Sequence, residues 1–207
     1  TILRTTNGGL TWNSQNSGIT GLLECVFFTD INTGTIVGEG GTVLRTTDGG
    51  ATWTSQTSGT IGDLRGVFFT DTNTGTIVGV NGLILKTTNG GLTWTPQGSG
   101  TVNYLEDVFF TNANNGTAVG GGGTVLTTTN GGTSWNTYII PGNSWLFDVS
   151  YVDENIGTIV GYYGRIFRTT NAGINWTEQI SQTLNVLNGI SFADANNGTA
   201  VGDSAAF

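Results

Sequence analysis

Carboxylates are the first groups in this chain whose placement invites chemistry. Glu24, Asp63 and Glu106 fall near the start of one recurring segment in three successive units. Two such groups held about 5 to 10 Å apart, one with a raised pKa, are what glycoside hydrolysis requires. Leu22, Trp145 and Val186 stand at equivalent positions elsewhere, so this rim varies freely and solvated charge is the simpler reading. The chain contains 0 histidines, which removes Ser-His-Asp and Cys-His nucleophile systems together with most transition-metal sites. A second pattern, Asp-x-Asn-x-Gly at Asp30, Asp71, Asp153 and Asp194, opens like a calcium loop. The distal Glu such a loop needs is absent, and Gly41 and Gly82 stand in its place. Asx turns explain the pattern more simply. Cys25 is the single cysteine, so no intrachain disulfide forms, and its equivalents are Gly66, Asp107, Asp148 and Gly189. No metal and no cofactor is expected.

The elements that position these groups follow from one period. The pattern Thr-x-Asn/Asp-x-Gly-x-x-Trp ends on Trp12, Trp53, Trp94, Trp135 and Trp176, a constant 41 residues apart. Such a period marks an array of one supersecondary unit. The units span 1–41, 42–82, 83–123, 124–164 and 165–205 within a single domain, and a sixth would begin at Ala206. In the second unit TVLRTT (42–47), ATWTSQ (51–56), LRGVFFT (64–70) and GTIVG (75–79) read as β-strands between Gly/Asn/Asp/Thr turns. Four strands in a unit of ~40 to 45 residues is a propeller blade. The expected fold is all-β, with the recurring Leu and Phe on an inner strand and the Trp between blades. The chain starts on the third strand of one blade and stops after the second strand of another. Pairing of these termini would close a five-bladed ring and hide the exposed edges. A fragment of a larger ring and an oligomer of partial rings are the alternatives.

Composition narrows the partners. Charged residues make up 10% of the chain and the formal charge is −8, so a phosphate backbone or an anionic membrane lacks the cationic footprint it needs. No apolar run approaches the ~18 residues of a membrane span. A neutral coat of hydroxyls and amides suits an extracellular or cell-surface setting, with any signal peptide outside the sequence given and further domains possible.

Comparison of the units gives the site a direction. The Trp-bearing turns and the Asp-x-Asn-x-Gly turns are nearly uniform and fall on one face. The connections on the other face differ, reading Glu39-Gly40, Val80-Asn81, Gly121-Gly122, Tyr162-Tyr163 and Asp203-Ser204. Diversity on a constant scaffold marks a recognition surface. Its most distinctive members are Trp145, Phe147, Tyr162 and Tyr163, expected as apolar anchors, with Asp63, Arg65, Tyr104 and Glu106 as a polar rim. Aromatics offer large contact area with little entropy to lose. Filling of space between blades is the alternative role for Phe147 and one tyrosine.

TTDGGATW (Thr46 to Trp53) and its counterparts resemble the Asp-box of bacterial neuraminidase repeats. The longer consensus LxxVFFTDxNTGTIVGxxGTVLRTTDGGATWTSQ resembles the repeats of the photosystem II assembly and stability factor family. That resemblance covers the whole chain and implies a non-catalytic propeller that holds a polypeptide partner, although the family is typically seven-bladed. Sialidases that share the box grip their substrate with clustered arginines. Here Arg4, Arg45, Lys86 and Arg168 sit at one equivalent position in four units, spread around the ring, and are expected to cover blade surfaces or pair with carboxylates. The expected function is a binding or assembly scaffold for a polypeptide or glycan, with a glycoside hydrolase or a structural spacer as alternatives. Similar repeats in large secreted bacterial proteins support an exported bacterial module.

Overall fold

The computed structural model describes residues 1–203; Ser204 and Ala206 lie outside the described residues. β1 (Ile2–Arg4) and β2 (Asn13–Gln15) form a two-stranded antiparallel sheet. Four four-stranded antiparallel meanders follow. The first is β3 (Leu23–Phe28), β4 (Gly34–Gly38), β5 (Thr42–Thr46) and β6 (Thr54–Gln56). The second is β7 (Leu64–Phe69), β8 (Gly75–Gly79), β9 (Ile84–Thr87) and β10 (Thr95–Gln97). The third is β11 (Leu105–Phe110), β12 (Gly116–Gly120), β13 (Thr124–Thr128) and β14 (Asn136–Ile139). The fourth is β15 (Leu146–Tyr151), β16 (Gly157–Gly161), β17 (Ile166–Thr169) and β18 (Thr177–Gln179). β19 (Leu187–Phe192) and β20 (Gly198–Gly202) pair as a second two-stranded sheet. The helices among the described residues are single 3-10 turns between second and third strands, and none is long and apolar enough to cross a membrane.

Blades pack first strand to first strand, β3 on β7, β7 on β11, β11 on β15 and β15 on β19. The contact is aromatic: Phe27 meets Phe68 at 4.8 Å between ring centroids, Phe68 meets Phe109 at 5.0 Å, and Phe109 meets Tyr151 at 5.8 Å. Second strands such as GTIVG are buried along their whole length, and Ile77, Val78, Leu64 and Leu85 are almost inaccessible to solvent. Each such side chain contributes roughly 1.5–3 kcal/mol by leaving water. The two flanking glycines of that strand are steric necessities. A Cβ on Gly75 would enter the Phe69 ring, and one on Gly79 would overlap the Asp63 carbonyl oxygen.

The uniform turns are local hydrogen-bond devices. Thr46 Oγ1 lies 2.8 Å from Asp48 Oδ1 and accepts from the Gly50 N–H, while Asp48 Oδ1 accepts from the Thr52 N–H at 2.9 Å. The following Trp returns to its own blade's inner strand, Trp53 against Phe28 and Trp94 against Phe69, each edge to face at 6.0 Å.

Two expectations are corrected. The termini do not close the ring: β1 bonds to β2 and β20 to β19, leaving four complete blades flanked by two half-blades. A closed five-bladed ring would seat Trp12 on Phe192 and β3 against β19. Instead Trp12 is 58% exposed, and Val26 is 55% exposed where its equivalent Val67 is 3%. The physical reason is blade spacing. Aromatic pairs stand between neighbouring inner strands at three interfaces, and at the step they set β3 and β19 do not meet. The recurring cations also do not seek carboxylates. Arg45 donates to the Thr72 carbonyl and lies over Phe69, Arg168 donates to the Ala195 carbonyl, and Lys86 donates to the Gly131 carbonyl. Each ties its own blade to the next, and the third blade carries Thr127 at this position.

Candidate functional site

Backbone hydrogen bonds sort the connections onto two ends of each blade. The Gly49 N–H donates to Asn32 O and the Gly90 N–H to Asn73 O, both at 2.8 Å, which joins the Asp-box turns to the Asx turns. At the opposite end the Val80 N–H donates to Asp63 O, the Gly121 N–H to Tyr104 O and the Tyr162 N–H to Trp145 O. The variable turns and the residues entering each inner strand therefore share one mouth.

A β-bulge supplies the side chains there. In every blade the pairing of first and second strand skips one residue, as between Leu64↔Gly79 and Gly66↔Val78. The skipped residues are Glu24, Arg65, Glu106, Phe147 and Asn188. A bulged residue leaves the ladder, and the local bend of its strand re-aims the side chain. Five successive units thus present four different side chains, glutamate twice, at one structural position.

In the third and fourth blades these positions converge on an aromatic group. Tyr104 meets Trp145 at 5.7 Å and 87°, Trp145 meets Tyr162 at 6.4 Å and 70°, and Phe147 meets Tyr162 at 4.9 Å and 87°. Tyr163 extends the group, 6.1 Å from Tyr162. Trp145 Nε1 donates to Glu106 Oε1 at 2.9 Å, which fixes the indole. A Cβ on Gly121 would sit 3.7 Å from the indole, so the bare turn of the third blade is a floor for Trp145. The tyrosine rings stay accessible, Tyr104 at 39%, Tyr162 at 40% and Tyr163 at 69%. Tyr163 also adopts φ 60°, where the equivalent residues are Gly40, Asn81 and Gly122. A bulky residue held in that region is strained, and such strain gathers at functional sites.

Six of the eight expected site residues, Tyr104, Glu106, Trp145, Phe147, Tyr162 and Tyr163, form this connected group. Asp63 and Arg65 lie on the second blade and face the first. Arg65 Nη1 donates to Glu24 Oε1 at 3.1 Å and Nη2 stands 3.9 Å from Asp63 Oδ2, while Asp63 Oδ1 accepts from the Gly40 N–H. Acidic groups surround the remainder of the mouth: Glu39 accepts from the Leu22 N–H, and Asp203 accepts from Asn188 Nδ2.

Below the mouth lies a set of residues that sequence comparison passed over. Asp107 Oδ2 accepts from the Val149 N–H at 3.1 Å, and Asp148 Oδ2 accepts from the Ile190 N–H at 2.6 Å, so each carboxyl ties its inner strand to the next. Withdrawal from water, then the Asp148 charge and a hydrogen bond to Asp148, raise the Asp107 pKa well above the usual carboxylate range. Burial, followed by the Asp107 charge, pushes the Cys25 thiol up to about 11, which leaves it unreactive at neutral pH. The available signal was two carboxylates one period apart on neighbouring inner strands. Among the described residues no group of three or more His, Cys, Asp or Glu could hold a metal ion.

Four-stranded meanders packed on their first strands, each stitched by an Asp-box, define a β-propeller of Asp-box blades. The model of the photosynthesis system II assembly factor YCF48 family matches residues 6–95 and 57–207, and the chain belongs to that family. Among solved structures it is similar to "YCF48 bound to D1 peptide", at 20% identity and a TM-score of 0.74 over 97% of this chain and 68% of that one. It is also similar to YCF48 from Cyanidioschyzon merolae, at 20% identity and a TM-score of 0.73 over 97% of this chain and 73% of that one. A glycoside hydrolase of family GH74 from Niastella koreensis shares the fold at 18% identity and a TM-score of 0.63 over 75% of this chain and 30% of that one. No curated protein matches the chain.

Proposed function

We propose that this chain is a non-catalytic scaffold that holds a polypeptide at the bulge-lined mouth. The observation that carries the reading is the accessible aromatic group on the variable end, with Tyr163 kept at φ 60° where a glycine or asparagine would be unstrained. Membership of an assembly-factor family supports it, as does a relative solved with a bound peptide. The carboxylates argue against hydrolysis. Glu24 is engaged by Arg65 and Glu106 by Trp145, while Asp107 and Asp148 each accept from a backbone N–H of the next inner strand. Selection of a displayed library of random short peptides against the chain tests the reading. Binders are expected, and the double substitution Trp145→Ala with Tyr162→Ala should abolish their capture; binders that survive it would refute the site. A glycan is the second occupant that stacked tyrosines suit, and a glycan array separates the two. The weakly charged, hydroxyl-rich coat supports placement outside the cell, which localisation of the tagged gene product would test.

A further inference from the structure

The chemistry of the mouth specifies which part of a polypeptide it takes. Tyr104 and Tyr162 stand steeply to the Trp145 indole, at 87° and 70°, and Phe147 stands at 87° to Tyr162. Rings set nearly perpendicular to one another offer π faces to one small volume, the arrangement that attracts an organic cation. The chain supplies no such cation itself. Its cation–π contacts among the described residues are Arg45 with Phe69, Arg165 with Phe167 and Arg168 with Phe192, none on a ring of this group.

Charge points the same way. Glu24, Glu39, Asp63, Glu106 and Asp203 carry the mouth's carboxylates, against Arg65 and against Arg165, which follows the Tyr162–Gly164 turn and is paired with Glu178. Arg65 is already committed to Glu24 and Asp63 on the second blade. The aromatic group therefore lies beside an uncompensated negative edge, with Glu106 held against Trp145 itself. A potential of that sign draws in a basic segment and repels an acidic one.

We infer that the Tyr104–Trp145–Tyr162 group, backed by Glu106, is a subsite for the ammonium or guanidinium head of a lysine or arginine side chain in the bound polypeptide. The inference rests on the polypeptide-binding reading above. Tyr163 would cover the aliphatic stem, and the Glu106 carboxylate would neutralise the head.

The same peptide selection tests it through the composition of its binders. Lysine and arginine should be enriched in peptides whose capture depends on Trp145. Replacing the basic residue of a selected peptide by norleucine should weaken binding about tenfold or more, in line with a desolvated cation–π contact joined to a charge pair. Glu106→Gln keeps an acceptor for the indole N–H and removes the charge. It should weaken basic binders by about fivefold or more, leave their norleucine analogues unchanged, and shallow the salt dependence, with thermal unfolding confirming an intact fold. Trp145-dependent binders without basic enrichment, or basic binders indifferent to Glu106→Gln, would overturn the inference and leave the polypeptide reading standing. Absence of any Trp145-dependent binder would overturn both.

Discussion

Tyr163 offers a test in which stability and binding move in opposite directions. Its φ of 60° places a bulky side chain in the left-handed region, where a non-glycine residue costs roughly 1–2 kcal/mol. Asn81 occupies the same position of the second blade at φ 57°, so asparagine is a replacement this turn already accommodates. Tyr163→Asn relieves most of the strain and removes the 6.1 Å contact with Tyr162. That contact joins two exposed rings and sits at the low end of aromatic pairs, about 0.5 kcal/mol. The net expectation is a gain of about 0.5–1.5 kcal/mol. For a chain of this length each kcal/mol corresponds to about 2–4 °C in Tm, a rise that differential scanning fluorimetry resolves. Affinity for a selected peptide should fall by about fivefold or more, as when an exposed aromatic anchor is truncated. A lower Tm would show that Tyr163 is seated without strain. A higher Tm with unchanged affinity would show that the strain serves no ligand.

Other substitutions probe the scaffold. Ala172 holds φ 59° where the other Asp-boxes have glycine, and Ala172→Gly should stabilise the chain by about 1 kcal/mol in urea titration. Gly79→Ala should cost at least ~3 kcal/mol, because its Cβ would overlap the Asp63 carbonyl oxygen and no side chain can yield in compensation. Asp107 gives a pH signature. Its folded pKa is raised by burial and by Asp148, so the stability it contributes is complete below the unfolded aspartate value of about 4 and is lost as pH rises through the folded pKa. Asp107→Asn keeps an acceptor for the Val149 N–H and should flatten that decline, so that the substituted chain has the higher Tm at neutral pH and no such advantage in acid.

Legibility from sequence follows the range of the interaction. The Asp-box closes its hydrogen bonds within seven residues, Thr46 to Thr52, and strands placed from its period agree with the structure to within a residue or two except before β6, where Ala51–Trp53 remain in the turn. Ring closure depends on centroid distances between residues such as Phe27 and Phe68, one period apart, which no residue type states. The aromatic group was visible because repeats diverge at Trp145 and Tyr162. Its origin in a bulge was not, because register is a property of two strands rather than one. The same holds for Asp107, which looks tolerant on its own and is brought against Asp148 only when their blades pack.

The bulge explains why one position can vary so widely on so uniform a frame. A ladder residue such as Val67 or Ile77 must suit its cross-strand partner and the next blade, and both are buried. The skipped residue beside it has no cross-strand partner to suit, so Glu24, Arg65, Glu106, Phe147 and Asn188 occupy equivalent sites on one sheet register. Two of these side chains reach a neighbouring blade, Arg65 to Glu24 and Glu106 to Trp145, while Phe147 and Asn188 meet Tyr162 and Asp203 of their own units. The mouth is thus assembled from contacts both within and across blades. A substitution at one bulge should be felt where it touches the next, and double-substitution cycles should show coupling for Glu106 with Trp145 and near-additivity for Glu24 with Tyr162, which belong to the first and fourth blades.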